Sequence, residues 1–472
     1  MDEKRIIAKA AAKTSAGTIV SRVTGLIREI VITWAFGATG ITDAFFVAFR
    51  IPNLLREFFA EGSVSAGFVP VFTEYLTKEG KEEAKRLAGI VFAFLLSVLI
   101  IVCLAGIIFA PYIVAVFAPG FKPDPEKFLL TVKLTRIMFP FLLFISLAAL
   151  AMGMLNSLRS FFIPAIAPAS FNLAIIASIV FIAPEFAVPI LAVGLGVTLG
   201  GALQYGTQLL ALIKRGYNVK PVFSFVHKGF RKIIVLVIPV AAAMGVVQIN
   251  VLISTIFASY LHEGSVTYLY LGYRLLNIPV GIFIIAVSTA MLPSLSRQAA
   301  VNDIDALRDT FSFSMRLVFF LTLPAMAGLI VLSEPIVNVL FQRGGFDYNA
   351  TRGTVYALIF YSTGLWAFAG FRTVRTTFYA LQDTRTPLKV ALLSVLINTL
   401  FCALLFGPLK HGGLAFALAI SAAFNFLVLF ILLRKKLKRV NGRSIIRSFI
   451  RTSFASAVMG FVGFYVVNSF TW

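Results

Sequence analysis

Acidic residues are scarce in this chain: 20 Asp and Glu stand against 42 Lys and Arg, for a formal net charge of +22. Charge of either sign is low, at 13% of 472 residues, where a soluble globular domain carries about a quarter. With 59% hydrophobic residues and a mean hydropathy of +0.93, a soluble globular fold is excluded. Cysteine is limited to Cys103 and Cys402, both in mid-apolar sequence. That excludes a disulfide framework and a thiolate metal site, and leaves two small core residues. The three histidines, His227, His262 and His411, are expected in loops, so no intramembrane histidine relay is available. No glycine-rich loop ending in Lys-Ser/Thr occurs, which excludes ATP hydrolysis by the chain itself. No metal-ligand cluster or nucleophile–base motif stands out, and no cofactor is expected. The N-terminus MDEKRIIAKAAAKTSAG lacks a cleavable signal pattern, since the first apolar run holds Arg22 and Arg28.

What is abundant is apolar sequence in runs of about 20 residues, enough for a helix to cross a bilayer. They fall at 14–36, 42–60, 88–110, 129–154, 163–182, 189–213, 233–258, 267–292, 314–333, 353–378, 388–406, 413–433 and 449–470. Thirteen spans starting from a cytoplasmic N-terminus leave most Lys and Arg on the cytoplasmic side, including Lys214–Lys232 and the run from Arg434. That is the positive-inside bias of a membrane protein, and it explains the basic excess without a nucleic-acid partner.

The chain also repeats itself at an offset of about 223 residues. Gly40–Arg50 (GITDAFFVAFR) matches Gly264–Arg274 (GSVTYLYLGYR), and Ser65–Pro70 matches Ser288–Pro293. VAVFAPGF around Gly120 matches VNVLFQRGGF around Gly345, Pro164 matches Pro387, and GLGVTLGG from Gly194 matches GLAFALAI from Gly413. Five matches in order are not chance. Each half holds six spans, an even number, so both halves enter the membrane with the same orientation. The expected fold is an all-α polytopic membrane protein of two pseudo-symmetric six-helix lobes, 1–222 and 223–437, with at least one further span in 438–472. Parallel repeats of this kind are a transporter architecture, with substrate bound between the lobes and alternating access by rocking. Channels and membrane enzymes can be duplicated too, so the charges inside the spans must decide.

Those charges concentrate in Ser21–Gly62: Arg22, Arg28, Glu29, Asp43, Arg50, Arg56, Glu57 and Glu61. An ionisable side chain at bilayer depth costs roughly 2.5–3.5 kcal/mol on insertion scales, so these should face one another or a wet cavity. Positions seven apart return to within about 20° on a helix, which aligns Arg22 with Glu29, and Asp43 with Arg50 and Glu57. Such partners are about 10 Å apart, too far for direct pairing within a helix. They are expected to pair between helices or with a ligand, while Arg28 and Arg56 sit off the stripes. Pro52 is expected to bend the second span. In the second half Arg274 repeats Arg50, whereas the span matching the first has Gln248, Asn250 and Ser254 but no charge. Arginine outnumbers acid, and its planar donor fork suits phosphate or carboxylate. An anionic substrate follows. The blander alternative is that the arginines are paired structurally or snorkel to the interface, above all Arg56, Arg136, Arg372 and Arg375 near span ends.

SRVTGLIRE, TDAFFVAFRIPNLLREFFAEGSVSAGFVPVF, the APGF loop, YRLLNIPVG, LFQRGGF and YALQDTRTP together resemble the MurJ (MviN) lipid II flippases. These belong to the multidrug/oligosaccharidyl-lipid/polysaccharide exporter superfamily. The resemblance implies a transporter and not an enzyme, in the bacterial inner membrane. Its cargo would be lipid II, the undecaprenyl-diphosphate-linked disaccharide peptide, carried from the cytoplasmic to the periplasmic face for peptidoglycan synthesis. It implies contacts with membrane lipids and cell-wall synthesis proteins, and a monomer. The family's important cavity residues fall on Arg22, Arg28, Asp43, Arg56 and Arg274, expected to bind substrate, with Glu61 as a gate; Glu29, Arg50 and Glu57, from their own place in the charged spans, are expected to line or gate the cavity. Two departures stand out. The family usually has Asp where this chain has Glu29. It also has fourteen spans, the last two forming a groove for the lipid tail; either a fourteenth lies outside this sequence or the groove is built differently. Some members carry acids for sodium in spans 7 and 11, where this chain has Ser254, Asn398 and Cys402, so sodium coupling does not carry over. An exporter of another polyprenyl-linked glycan, or an ion-coupled drug exporter, is the alternative.

Overall fold

The computed structural model describes residues 3–59, 63–224 and 226–469, and helix is the only regular structure among them. In lipid every backbone N–H and C=O must be satisfied within its own segment, which an apolar run achieves by coiling into a helix. The first half contains α1 (Glu3–Phe36), α2 (Gly40–Phe59), α3 (Ser63–Lys78), α4 (Lys81–Ile108), α5 (Ala110–Phe117), α6 (Pro125–Met138), α7 (Phe141–Ser157), α8 (Phe162–Ala177) and α9 (Ile190–Lys214). The second contains α10 (Lys228–Ser259), α11 (Ser265–Pro279), α12 (Ile285–Ala300), α13 (Ile304–Val331), α14 (Ser333–Phe341), α15 (Tyr348–Ser362), α16 (Leu365–Ala380), α17 (Arg385–Lys436) and α18 (Gly442–Ser469).

The repeat is visible helix by helix. α4 and α13 both have 28 residues, and each runs into a short helix, α5 of 8 residues and α14 of 9. The APGF and QRGGF loops follow, and then the pairs α6–α7 (14 and 17 residues) and α15–α16 (15 and 16 residues). α8 and α9 correspond to the two parts of α17, which meet at Lys410 with φ 49° and ψ −133°. His411, expected in a loop, is instead buried just past that kink, with Nε2 2.9 Å from Gly353 O. α2 and α3 correspond to α11 and α12, which a π-helical segment, Val280–Ile284, joins into one run. α3 therefore continues the second span, which hydropathy ends at residue 60. Pro52 lies inside α2 without ending it.

Each of the thirteen expected spans lies on one of these helices or on a consecutive pair. Among the described residues eight helices are long and apolar enough to cross a membrane, or nine if α15 and α16, bent by 43°, form one span. Concentrated charge and the merging of two spans account for three of the four that separate nine from thirteen. α1 and α2 carry the concentrated charges, and α17 counts once although it holds two spans.

The chain forms two compact units, Met1–Gln248 and Ile249–Trp472. The division falls inside α10, later than residue 222, because the start of α10 is fastened to α3 and α4. Lys232 Nζ lies 2.6 Å from Glu74 Oε2, and His227 Nε2 is 3.0 Å from Glu83 Oε1. His227 Nδ1 accepts from the Gly229 N–H at 3.2 Å, so Nε2 is the protonated nitrogen and donates to Glu83. The segment before α10 passes close against α4, with Val222 N–H donating to Gly89 O at 3.1 Å.

In the first unit the core is built on Phe68, Phe72, Leu87, Leu99, Phe139 and Leu142. Gly106 is required there: a Cβ would stand 2.0–2.4 Å from three ring atoms of Phe139. Gly106→Ala is expected to cost about 1–3 kcal/mol through overpacking, read as a lowered thermal midpoint of the purified protein.

In the second unit Phe311, Phe319, Phe378, Phe426 and Leu429 form the core. The LQDTRTP loop is locked onto the end of α17 by Asp383, which takes Lys436 Nζ at 2.7 Å and the Thr386 N–H and hydroxyl at 3.0 and 2.9 Å. Burial alone would push the Asp383 carboxyl up; Lys436, with the two Thr386 donors, instead brings it from 3.8 to about 2. A depressed carboxylate stabilises the fold above its unfolded pKa, and that contribution is lost as pH falls from about 4 toward 2. Asp383→Asn is therefore expected to lower the thermal midpoint at pH 7 and to narrow its gap from wild type below pH 3, measured by melts across that range.

Candidate functional site

The functional residues begin with two neighbours on α1. Arg28 is 7% exposed and Glu29 is 0% exposed, within the apolar run 14–36. The Arg28 guanidinium pairs through Nη2 with Glu29 Oε1 and through Nη1, at 3.0 Å, with Asn172 Oδ1 of α8. Asn172 Nδ2 returns to α1, donating to Ser21 O and Thr24 Oγ1 at 3.2 Å each. An aromatic wall backs the cation: Phe171 lies 5.6 Å from the guanidinium carbon and 5.2 Å from the Phe141 ring, and Phe49 lies 5.9 Å from Phe141. In surroundings of low dielectric the attraction between guanidinium and an anion is strong, and the carboxylate of Glu29 supplies that anion here.

α2 carries a second set. Asp43, 1% exposed, begins the helix and lies 3.4 Å from Lys127 Nζ of α6. Lys127 also stands 4.3 Å from the centroid of Phe121, the last residue of the APGF loop. The Asp124 side chain caps α6 by accepting the Lys127 N–H at 3.0 Å, with Pro125 as the first helical residue, and so fixes where Lys127 emerges. Arg50 and Arg56 are half-buried on α2, about 10 and 20 Å along the axis from Asp43. Glu57, also half-buried, accepts a hydrogen bond from Gln248 Nε2 of α10.

Several sequence expectations meet these facts. Arg28 and Glu29 are brought together, although helical spacing sets Arg28 off the charged stripe. Arg22 is exposed and makes no ion pair among the described residues, so it does not pair with Glu29, seven positions on. Arg274 is exposed on α11, next to Tyr273, whose ring is 5.6 Å from that of Tyr361. Glu61 lies outside the described residues. Arg375 lies over Phe371 and Tyr379, at 4.9 and 5.9 Å, and Arg136 donates to Ile107 O at 3.2 Å. Asn172 and Lys127 escape the reading of the sequence. The signal for Asn172 is present, as the one amide in the apolar stretch Phe162–Ala177.

A duplicated set of membrane helices with buried arginine in the first of them defines a transporter rather than an enzyme. Solved structures agree on the fold: an inward-facing multidrug transporter of the MOP superfamily superposes with a TM-score of 0.72 at 14% identity, covering 91% of this chain and 98% of that one. A structure described as lipid II flippase MurJ in an inward closed conformation has a TM-score of 0.83 at 28% identity, covering 97% and 93%. Residues 32–472 match the family described as lipid II flippase MurJ. The lipid II flippase MurJ of Burkholderia cenocepacia is 37% identical over 97% of this chain and 90% of its own. The probable lipid II flippase MurJ of Haemophilus influenzae is 35% identical over 95% and 91%. The chain belongs to the MurJ family.

Proposed function

We propose that this protein moves lipid II from the cytoplasmic to the periplasmic face of the bacterial inner membrane by alternating access, with its N-terminus in the cytoplasm. The observation that carries the reading is the family match over residues 32–472. The buried Arg28, fixed between Glu29 and Asn172, supplies the chemistry. Lipid II presents a diphosphate and peptide carboxylates, and its polyprenyl tail stays in lipid. The substrate-binding set is Arg22, Arg28, Arg56, Arg274 and Asp43, the last held by Lys127. Glu29, Arg50, Glu57 and Glu61 line or gate the cavity, and the Gln248–Glu57 hydrogen bond supports a gating role for Glu57. The repeat halves, 1–222 and 223–437, are the units that alternate. The working form is a monomer that meets cell-wall synthesis proteins and contributes to cell shape through peptidoglycan synthesis.

Depleting the protein in its native cell tests this directly. Lipid II is expected to accumulate in the inner leaflet, and restoring the intact chain is expected to relieve it. Normal outward delivery of lipid II in fully depleted cells would overturn the proposal.

A further inference from the structure

The break in α17 is held by a buried ring. His411 is 6% exposed and lies between the apolar runs 388–406 and 413–433. Its Nε2 stands 2.9 Å from Gly353 O of α15; a carbonyl only accepts, so Nε2 carries the proton and Nδ1 keeps a bare lone pair. That Nδ1 is buried and has no hydrogen-bond partner among the described residues. Three rings box the imidazole in: Tyr268 of α11 at 5.2 Å, Tyr356 of α15 at 5.3 Å, and His262 of the turn before α11 at 5.9 Å. Glycines complete the fit. A Cβ on Gly353 would run into the Tyr268 ring, and one on Gly412 into the Tyr356 ring.

Beside this ring the backbone is strained. Lys410 has φ 49° and ψ −133°, a conformation open to glycine and costly for lysine, so it persists only while its surroundings impose it. The seating of His411, the next residue, is that restraint. The same box does not tolerate charge. A proton on Nδ1 would make a second N–H without an acceptor, in a place removed from water. The groups around it give no counter-charge: Tyr268 and Tyr356 are neutral phenols, and His262 and Lys410 both repel an imidazolium. Glu263 and Arg352, the chain neighbours of His262 and Gly353, are exposed. Burial outweighs the Gly353 bond and, with His262 and Lys410, brings the imidazole down from 6.5 to about 4. The unfolded chain therefore binds the proton first, and what His411 contributes to the fold is lost as pH falls from about 6.5 toward 4.

We propose that His411 is an acid-released latch: neutral, it pins the break between the two parts of α17 to α11 and α15; protonated, it leaves the box and lets the two parts change their angle. All of its residues belong to the second unit, and it does not depend on what the protein transports.

Pulsed electron-spin distance measurements on the full chain in detergent test it, with nitroxides at L396C and L427C and both native cysteines replaced by alanine. Leu396 and Leu427 are 65% and 49% exposed, one on each part of α17. One distance is expected at pH 7, and a second population is expected to reach about half of the molecules near pH 4. H411Q, whose amide can still donate to Gly353 O but does not titrate, is expected to keep the pH 7 distance throughout. H262Q removes a repelling neighbour and is expected to move the midpoint to higher pH, which decides the matter should H411Q fail to fold. An unchanged distance in the parent chain down to pH 3 would overturn the proposal, as would the same second population in H411Q. An unmoved midpoint in H262Q would also overturn it. So would loss of helical circular dichroism at the same pH, which would make the change an unfolding and not a release.

Discussion

Arg28→Ala is expected to abolish lipid II transport and to remove about 3–5 kcal/mol of stability, because it breaks the buried ion pair with Glu29 by removing one partner. Glu29 is 0% exposed, so water does not replace the guanidinium. Asn172 Oδ1 loses its donor while Nδ2 stays bonded to α1, and an unsatisfied buried acceptor adds about 1–3 kcal/mol to the loss. Stability and transport would then fall together, which by itself does not separate an anion site from a structural ion pair. The double variant R28A/E29Q does. It removes both charges, so most of the stability is expected to return in thermal melts of the purified protein. Transport, measured as lipid II translocation in proteoliposomes, is expected to stay lost, since no cation remains for the diphosphate. R28K is expected to keep the charge but impair transport, because a single ammonium lacks the two-donor fork that grips phosphate. If the double variant regains transport along with stability, Arg28 is a structural residue and the substrate set must be sought elsewhere.

Much of the fold was legible because its signals are local. Apolar length announces spans, and the repeat fixes their order and parity. The repeat also held what periodicity missed: α3 is only 16 residues long and contains Pro70, so it does not read as a span, yet its match to α12 assigns it to the continuation of α2. The site was legible by composition and not by pairing. Treating side chains as spokes at 100° per residue separates Arg28 from Glu29, but an arginine is long enough to fold back onto its neighbour. Asn172 reaches Arg28 across 144 residues of sequence, and Lys127 reaches Asp43 across 84, separations that no helical spacing reports. Lys127 escapes notice because it falls in a loop-like stretch before the apolar run. There Asp124 and Pro125 start α6 earlier than hydropathy suggests, and the lysine is carried onto a helix. The division at Gln248 was hidden for a related reason, since it depends on the Lys232–Glu74 ion pair and the His227–Glu83 hydrogen bond that tie the start of α10 to α3 and α4.

Lys127→Met is expected to cost about 3–5 kcal/mol, for the same reason as Arg28→Ala but at the start of α2. The Asp43 side chain is 2% exposed and that of Lys127 is 10% exposed, so the lysine cannot be replaced by solvent without opening the contact between α2 and α6. Lys127 also rests on the Phe121 ring, so methionine keeps the apolar contact and removes only the charge. D43N/K127M leaves no unpaired ion and is expected to recover most of the lost stability in thermal melts. Transport then assigns the role of Asp43. A double variant that is as stable as wild type and translocates lipid II normally makes the pair a fastener between α2 and α6. A stable double variant that no longer translocates makes Asp43 a substrate contact, which is the outcome the proposed function requires. Asp43 and Arg28 lie on different helices and are paired to α6 and α8 respectively, so their stability losses are expected to add in a combined variant. Their transport losses are not, since a protein already unable to hold the diphosphate has little further activity to lose.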